Sequence, residues 1–245
     1  MSMSLLSLAD DLEDCDIFSE ERQGLFKASD VREGEPMRHQ HIVFDLDGTL
    51  IDTENAVLRS WQLTASDFGL MRTAEQCRGA LGVSNETGLE RLGITDDGSF
   101  MRRWVERYAE LAPSTHWFEG AEKMLDDLSG AGFTLGIVTS RDALEMDRFF
   151  SQYDLPSRFG TIVIADDTPL RCKPLPDPLL LYCERTGTSP RNCIYIGDAP
   201  GDAEAARSAG MDFALVDFSA SHAPCAEVVS FFQSPAALKR YLLEA

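Results

Sequence analysis

The chain has 245 residues, 44% of them hydrophobic and 26% charged, with a formal net charge of −19, the make-up of an ordinary globular protein long enough for a full core. So acidic a surface repels DNA, RNA and anionic lipid at long range, which argues against nucleic acid and membranes as partners. No apolar run approaches the ~20 residues of a membrane span, and the six cysteines lack C-x-x-C or framework spacing, as reduced thiols in a cytoplasmic protein do.

Residues 1–38 hold ten acidic and four basic side chains and read as an acidic, solvated N-terminal extension. Met37 leaves an alternative start open, and the acidic leader is unlike a signal peptide. "HIVF" (41–44) is the first strand. The next segments, "TENAVLRSWQLTASDFGL", "TAEQCRGALG", "NETGLERLGI" and "GSFMRRWVERYAEL", all have helical spacing with no strand between them, so 53–117 is predicted to be an all-helical insert. Afterwards strands and helices alternate. "FTLGIVTS" (133–140), "GTIVIA" (160–165), "NCIYIG" (192–197) and "DFALVD" (212–217) are short, apolar and β-branched, as strands covered on both faces should be. "GAEKMLDDLSG", "ALEMDRFFSQY", "PDPLLLYCERTG" and "GDAEAARSAGM" carry helical periods, with Asp177 expected to cap the third ahead of Pro178. The expectation is an α/β protein with a doubly wound parallel sheet, its core formed by 39–52 and 118–245 and interrupted by the helical insert.

Ligands on such sheets gather beyond the carboxyl ends of the strands. There the sequence places Asp45 and Asp47, two positions apart and on one side of an extended segment, then Thr139 with Ser140, and Asp198 with Asp202. Lys173 follows the second of the later strands, 160–165. Singly, each has a duller role as a turn residue, helix cap or solvated lysine. Together, carboxylates, hydroxyls and an ammonium from distant segments converge on one rim. Paired like charges at Asp45 and Asp47 need a compensating cation, and a hard ion such as Mg²⁺ takes carboxylate oxygens while leaving positions for other ligands. No Walker loop and no G-x-S-x-G elbow is present.

Four ordered motifs, "DLDGT" (45–49), "VTS" (138–140), "KPLPDP" (173–178) and "IGDAPGD" (196–202), make the chain from about Ile42 onward resemble the haloacid dehalogenase-like hydrolases, in the branch with a small helical cap. The resemblance implies that Asp45 is a nucleophile toward phosphorus and Asp47 a general acid and base. It implies Mg²⁺ held by Asp45, the backbone carbonyl of Asp47 and Asp198, with Asp202 orienting water or Lys173. Thr139 and Lys173 would grip the transferring phosphoryl group, helped by backbone N–H groups near Gly48 and Ser140. The 53–117 insert would be the cap, with Arg78 its expected substrate contact and Arg59, Arg72 and Arg91 as rivals.

Departures narrow the activity that the resemblance implies. Asp47 argues against a dehalogenase, which needs no proton donor. The insert holds no lysine for phosphonatase chemistry, and Val57 stands where β-phosphoglucomutases carry a histidine. The expected activity is hydrolysis of a small phosphate ester, most similar to phosphoglycolate phosphatases, by a monomer or homodimer. A sugar phosphomutase and a non-catalytic scaffold are the alternatives.

Overall fold

The computed structural model describes residues 39–219 and 230–244, and the acidic extension over 1–38, with Met37, lies outside them. Strands β1 (His41–Phe44), β4 (Thr134–Val138), β5 (Thr161–Val163), β6 (Cys193–Gly197), β7 (Asp212–Val216) and β8 (Phe231–Phe232) form one sheet in the order β5-β4-β1-β6-β7-β8. Every neighbouring pair is parallel. Two further strands, β2 (Ile51–Asp52) and β3 (His116–Trp117), pair antiparallel in a separate ribbon.

The alternation of side chains along each strand explains the two covered faces. Ile42 and Phe44 face one way with Leu135, Ile137, Ile194 and Ile196, against α5 (Ala121–Gly130) and α10 (Pro235–Glu244). Val43, Val138, Val163 and Tyr195 face the other way, against α8 (Asp177–Thr186) and α9 (Pro200–Ala209). The chain leaves β1 toward β4 and β5, then returns to its other side for β6, β7 and β8. That reversal opens a crevice at the carboxyl end of β1, where Asp45 lies.

Between the ribbon strands run α1 (Glu54–Asp67), α2 (Ala74–Arg78), α3 (Asn85–Arg91) and α4 (Ser99–Leu111). Thr73 and Ser84 cap α2 and α3 with their side-chain oxygens, satisfying donors that a helix start leaves open. An aromatic column holds the helices together and ties them to the sheet. Trp61 lies 5.7 Å from Trp104, Trp104 stacks 5.2 Å from Tyr108, and Tyr108 meets Phe149 edge-on at 4.6 Å.

Three local expectations are corrected. The 53–117 segment is not strand-free, because β3 closes it: two residues carry no readable period, yet their backbone groups find partners in β2. The helix expected over 143–153 is broken into α6 (Ala143–Glu145), a π-helical turn at Met146–Phe150 and a 3₁₀ turn at Ser151–Tyr153. Widening the helix there keeps Phe149 and Phe150 both buried. The third core helix begins at Asp177 itself, with Pro176 as its cap, one residue earlier than expected. Between Tyr153 and β5 lies one further short helix, α7 (Leu155–Arg158). Among the described residues no helix is long and apolar enough to cross a membrane.

Candidate active site

Asp45 follows directly from β1, and its backbone N–H donates to the Ile196 carbonyl of neighbouring β6 at 2.8 Å. The turn behind it is tight. Leu50 and Ile51 both donate to the Leu46 carbonyl at 3.0 Å, and Gly48 donates to Ile51 at 2.9 Å. This turn presents Asp47 and Thr49 at the crevice. The matching turn after β6 presents Asp198, and the first turn of α9 presents Asp202, whose Oδ2 accepts the Ala199 N–H at 3.1 Å.

These carboxylates meet. Asp45, Asp198 and Asp202 each offer an oxygen within 4.8 Å of the others. Lys173, itself buried, lies among them: its Nζ donates to Asp45 Oδ1 at 2.7 Å, Asp202 Oδ1 at 2.7 Å and Tyr195 Oη at 2.9 Å. Among the described residues Asp198 has no ammonium partner and accepts instead from the Thr49 hydroxyl at 3.0 Å. Among the described residues one ammonium thus stands against three carboxylates and bonds two of them.

The imbalance shows in their proton affinities. Burial, and then repulsion from Asp202 and Asp47, lift the Asp45 carboxyl to about 7 against the pull of Lys173. Asp198 stands at the open mouth of the crevice, yet its hemmed-in carboxylate, and then repulsion from Asp45 and Asp202, raise it well above the usual range. Desolvation opposes the charge on Lys173, and Asp202 and Asp45 overcome it, holding the ammonium well above the ordinary lysine value. A hard divalent cation fits this donor set. It would relieve carboxylates that one lysine leaves under-compensated, and every available atom is oxygen.

Asp47 points elsewhere. Both of its oxygens accept from Arg141, Oδ2 from Nε at 3.0 Å and Oδ1 from Nη2 at 2.7 Å. Burial works to raise this carboxyl, but the adjacent guanidinium prevails and leaves it below the usual range. Thr139 is buried at the end of β4, its hydroxyl accepting the Arg141 N–H at 3.2 Å. The Ser140 hydroxyl is buried with no hydrogen-bond partner among the described residues. Arg78 is not brought to this cluster: it pairs with Glu54 and, at 3.3 Å, with Glu75 on the helical insert.

Sequence reasoning passed over Thr49, Tyr195 and Arg141. Thr49 closes the "DLDGT" motif and Arg141 directly follows "VTS", so their positions were signals. Tyr195 reads as strand core, and its phenol reaches Lys173 only because β6 lies beside β1.

The sequence pattern of the haloacid dehalogenase-like hydrolases matches residues 42–216. The chain belongs to that family. Among curated members of the family, a phosphoglycolate phosphatase of Xylella fastidiosa is 33% identical over 180 residues, 69% of this chain and 76% of its own. The N-acetylmuramic acid 6-phosphate phosphatase of Pseudomonas aeruginosa is 28% identical over 193 residues, 76% of this chain and 85% of its own. For the fold, the crystal structure of a Pseudomonas syringae hydrolase superposes with a TM-score of 0.75 at 23% identity, covering 84% of this chain and 98% of that one.

Gly48 gives this site a sharp test. Its φ is +74°, and a Cβ there would lie 2.3 Å from Asp198 Oδ2. Gly48→Ala is expected to cost at least about 1 kcal/mol in urea unfolding from backbone strain alone. Because Asp198 must also move, divalent-cation affinity by titration calorimetry should weaken about tenfold or more.

Proposed function

We propose that the protein is a Mg²⁺-dependent phosphatase that hydrolyses a small phosphorylated metabolite through an aspartyl-phosphate on Asp45. One observation carries the reading: Asp45 and Asp198, 153 positions apart in the chain, bring carboxylate oxygens within 4.8 Å at a switch point of the sheet, beside a buried lysine. In this reading Asp45, the Asp47 backbone carbonyl and Asp198 hold the ion, and Asp202 fixes Lys173. Mg²⁺ bound there supplies positive charge against the phosphoryl oxygens and orients the ester.

The chain's own groups do the rest. An Asp45 oxygen attacks phosphorus and the P–O ester bond breaks, while the Asp47 carboxyl gives its proton to the departing oxygen. Asp47 then takes a proton from the water that attacks the aspartyl-phosphate, which releases inorganic phosphate and restores Asp45. Lys173, the Thr139 and Ser140 hydroxyls and the N–H groups near Gly48 steady the transferring group, and positioning of this kind dominates phosphoryl transfer. The Ser140 hydroxyl, without a hydrogen-bond partner among the described residues, suits that task. Residues 53–117 act as a cap over the 39–52 and 118–245 core and exclude water when shut. Arg78 remains a candidate for substrate contact at the cap's surface.

Two of the relatives are named for phosphoglycolate and N-acetylmuramic acid 6-phosphate, both of which are acids beside their phosphate. A small acidic phosphate ester is therefore the first choice. Purified protein incubated with a panel of phosphorylated metabolites is expected to release phosphate from at least one of them, with activity lost in EDTA and restored by Mg²⁺. Failure to release phosphate from any ester, with Mg²⁺ and folded protein present, would end the proposal.

A further inference from the structure

The two aspartates nearest the chemistry are tied to different cations. Asp45 is held by Lys173, and Asp47 is forked by Arg141 at 3.0 and 2.7 Å. Arg141 is far from a surface arginine. It is buried, it donates to Glu145 Oε1 at 3.2 Å, and its guanidinium carbon lies 4.8 Å from the Tyr108 ring centre and 5.3 Å from that of Phe150. Tyr108 comes from α4 of the helical insert, while Phe150 and Glu145 come from the sheet side. The residue thus sits at the seam between the two layers with its flat faces covered and only its donor edge in play.

Arginine offers donors and no acceptor. While both Asp47 oxygens accept from Arg141, a proton on either would face an N–H and force the fork apart. The arrangement is therefore closed to the acid role that Asp47 has in the reaction proposed above, on which this inference rests. Something must take over the guanidinium before Asp47 can turn to the leaving oxygen. The planar donor edge prefers a carboxylate or phosphoryl group, bound through two parallel bonds.

We propose that Arg141 reads a second anionic group on the substrate, and that taking up this group releases Asp47 for its part in the reaction. The substrate class is then phosphate monoesters that carry a further carboxylate or phosphoryl group. An ester lacking the second anion still meets Asp45 and Lys173, but it leaves Asp47 locked. The discrimination falls on turnover rather than on ground-state binding, because the anion's effect is to complete the catalytic set.

The test uses the full chain with Mg²⁺ and two matched pairs of esters: 2-phosphoglycolate with ethyl phosphate, and 3-phosphoglycerate with glycerol 3-phosphate. In at least one pair the wild type is expected to favour the acid by roughly 10²-fold in kcat/KM, most of it in kcat. Arg141→Met should bring the members of that pair to within a few-fold of each other. Arg141→Lys, which keeps the charge without the fork, should recover only part of the preference. The wild type also permits a test that needs no variant: added acetate or glycolate should raise turnover of the ester that lacks an acid, to a saturating limit, and do nothing for Arg141→Met. Equal turnover within both pairs by the wild type overturns the inference. So does an undiminished preference in folded Arg141→Met, or a wild type indifferent to acetate. Hydrolysis of both members at one rate refutes the role of Arg141 while leaving the phosphatase reading intact, whereas no hydrolysis of any ester removes both.

Discussion

Asp45→Asn is expected to abolish hydrolysis, by roughly 10³-fold or more, since the amide cannot attack phosphorus. The same change should not weaken the fold. Burial and the adjacent carboxylates lift Asp45 to about 7, so the protein already favours the uncharged form of this side chain more than water does. Asparagine copies that form, and Lys173 keeps Asp202 and the Tyr195 phenol. In EDTA at pH 8 the variant should unfold at the same urea concentration as the wild type or a higher one. Phosphate release and urea midpoints, read side by side, check the dissociation. An inactive variant that also unfolds early would mean that Asp45 is a structural residue.

Lys173→Met is expected to do the opposite to stability and the same to activity. The buried ammonium is the only cation bonded to Asp45 and Asp202 among the described residues. Removing it leaves two carboxylates facing each other out of water, a loss of about 3–5 kcal/mol when both are charged. The sign with pH follows from Asp45. Its folded value of about 7 stands above the ordinary 3.8, so the metal-free folded chain binds more protons than the unfolded one. Stability from this carboxyl is present below about 4 and lost as pH climbs toward 7. Without the lysine the folded value rises further and the losing window widens upward. In EDTA the variant should therefore be far weaker than the wild type at pH 8 and much nearer to it at pH 5. Urea unfolding at both pH values decides the matter: an equal deficit at both would show that Lys173 stabilises through packing alone. Hydrolysis should fall about 10²-fold or more, as when a charge that faces a transition state is removed.

How much of this was readable beforehand varies with physics. The strands at 41–44, 134–138, 161–163, 193–197 and 212–216 are covered on both faces, which writes a continuous apolar run into the sequence. Polar residues that interrupt such runs at their carboxyl ends stand out, and Asp45, Lys173, Asp198 and Asp202 do lie together. The two-residue strands β2, β3 and β8 leave no such trace, because a pair of residues has no period. The split of the 143–153 helix was hidden because the spacing of Leu144, Phe149 and Phe150 suits an unbroken helix almost as well. Arg141 was hidden for another reason. A single arginine after a strand looks solvated, and only the fold shows that Trp104 and Tyr108 roof it from a segment more than thirty residues earlier.

The ribbon of β2 and β3 bears on the ancestry of the molecule. By pairing Asp52 with His116 it sets the outgoing and homecoming chain next to each other, so whatever is spliced between them leaves the strand order undisturbed. The graft carries one condition in this lineage: it must bring aromatic rings to shelter Arg141, or the guanidinium is left without a roof.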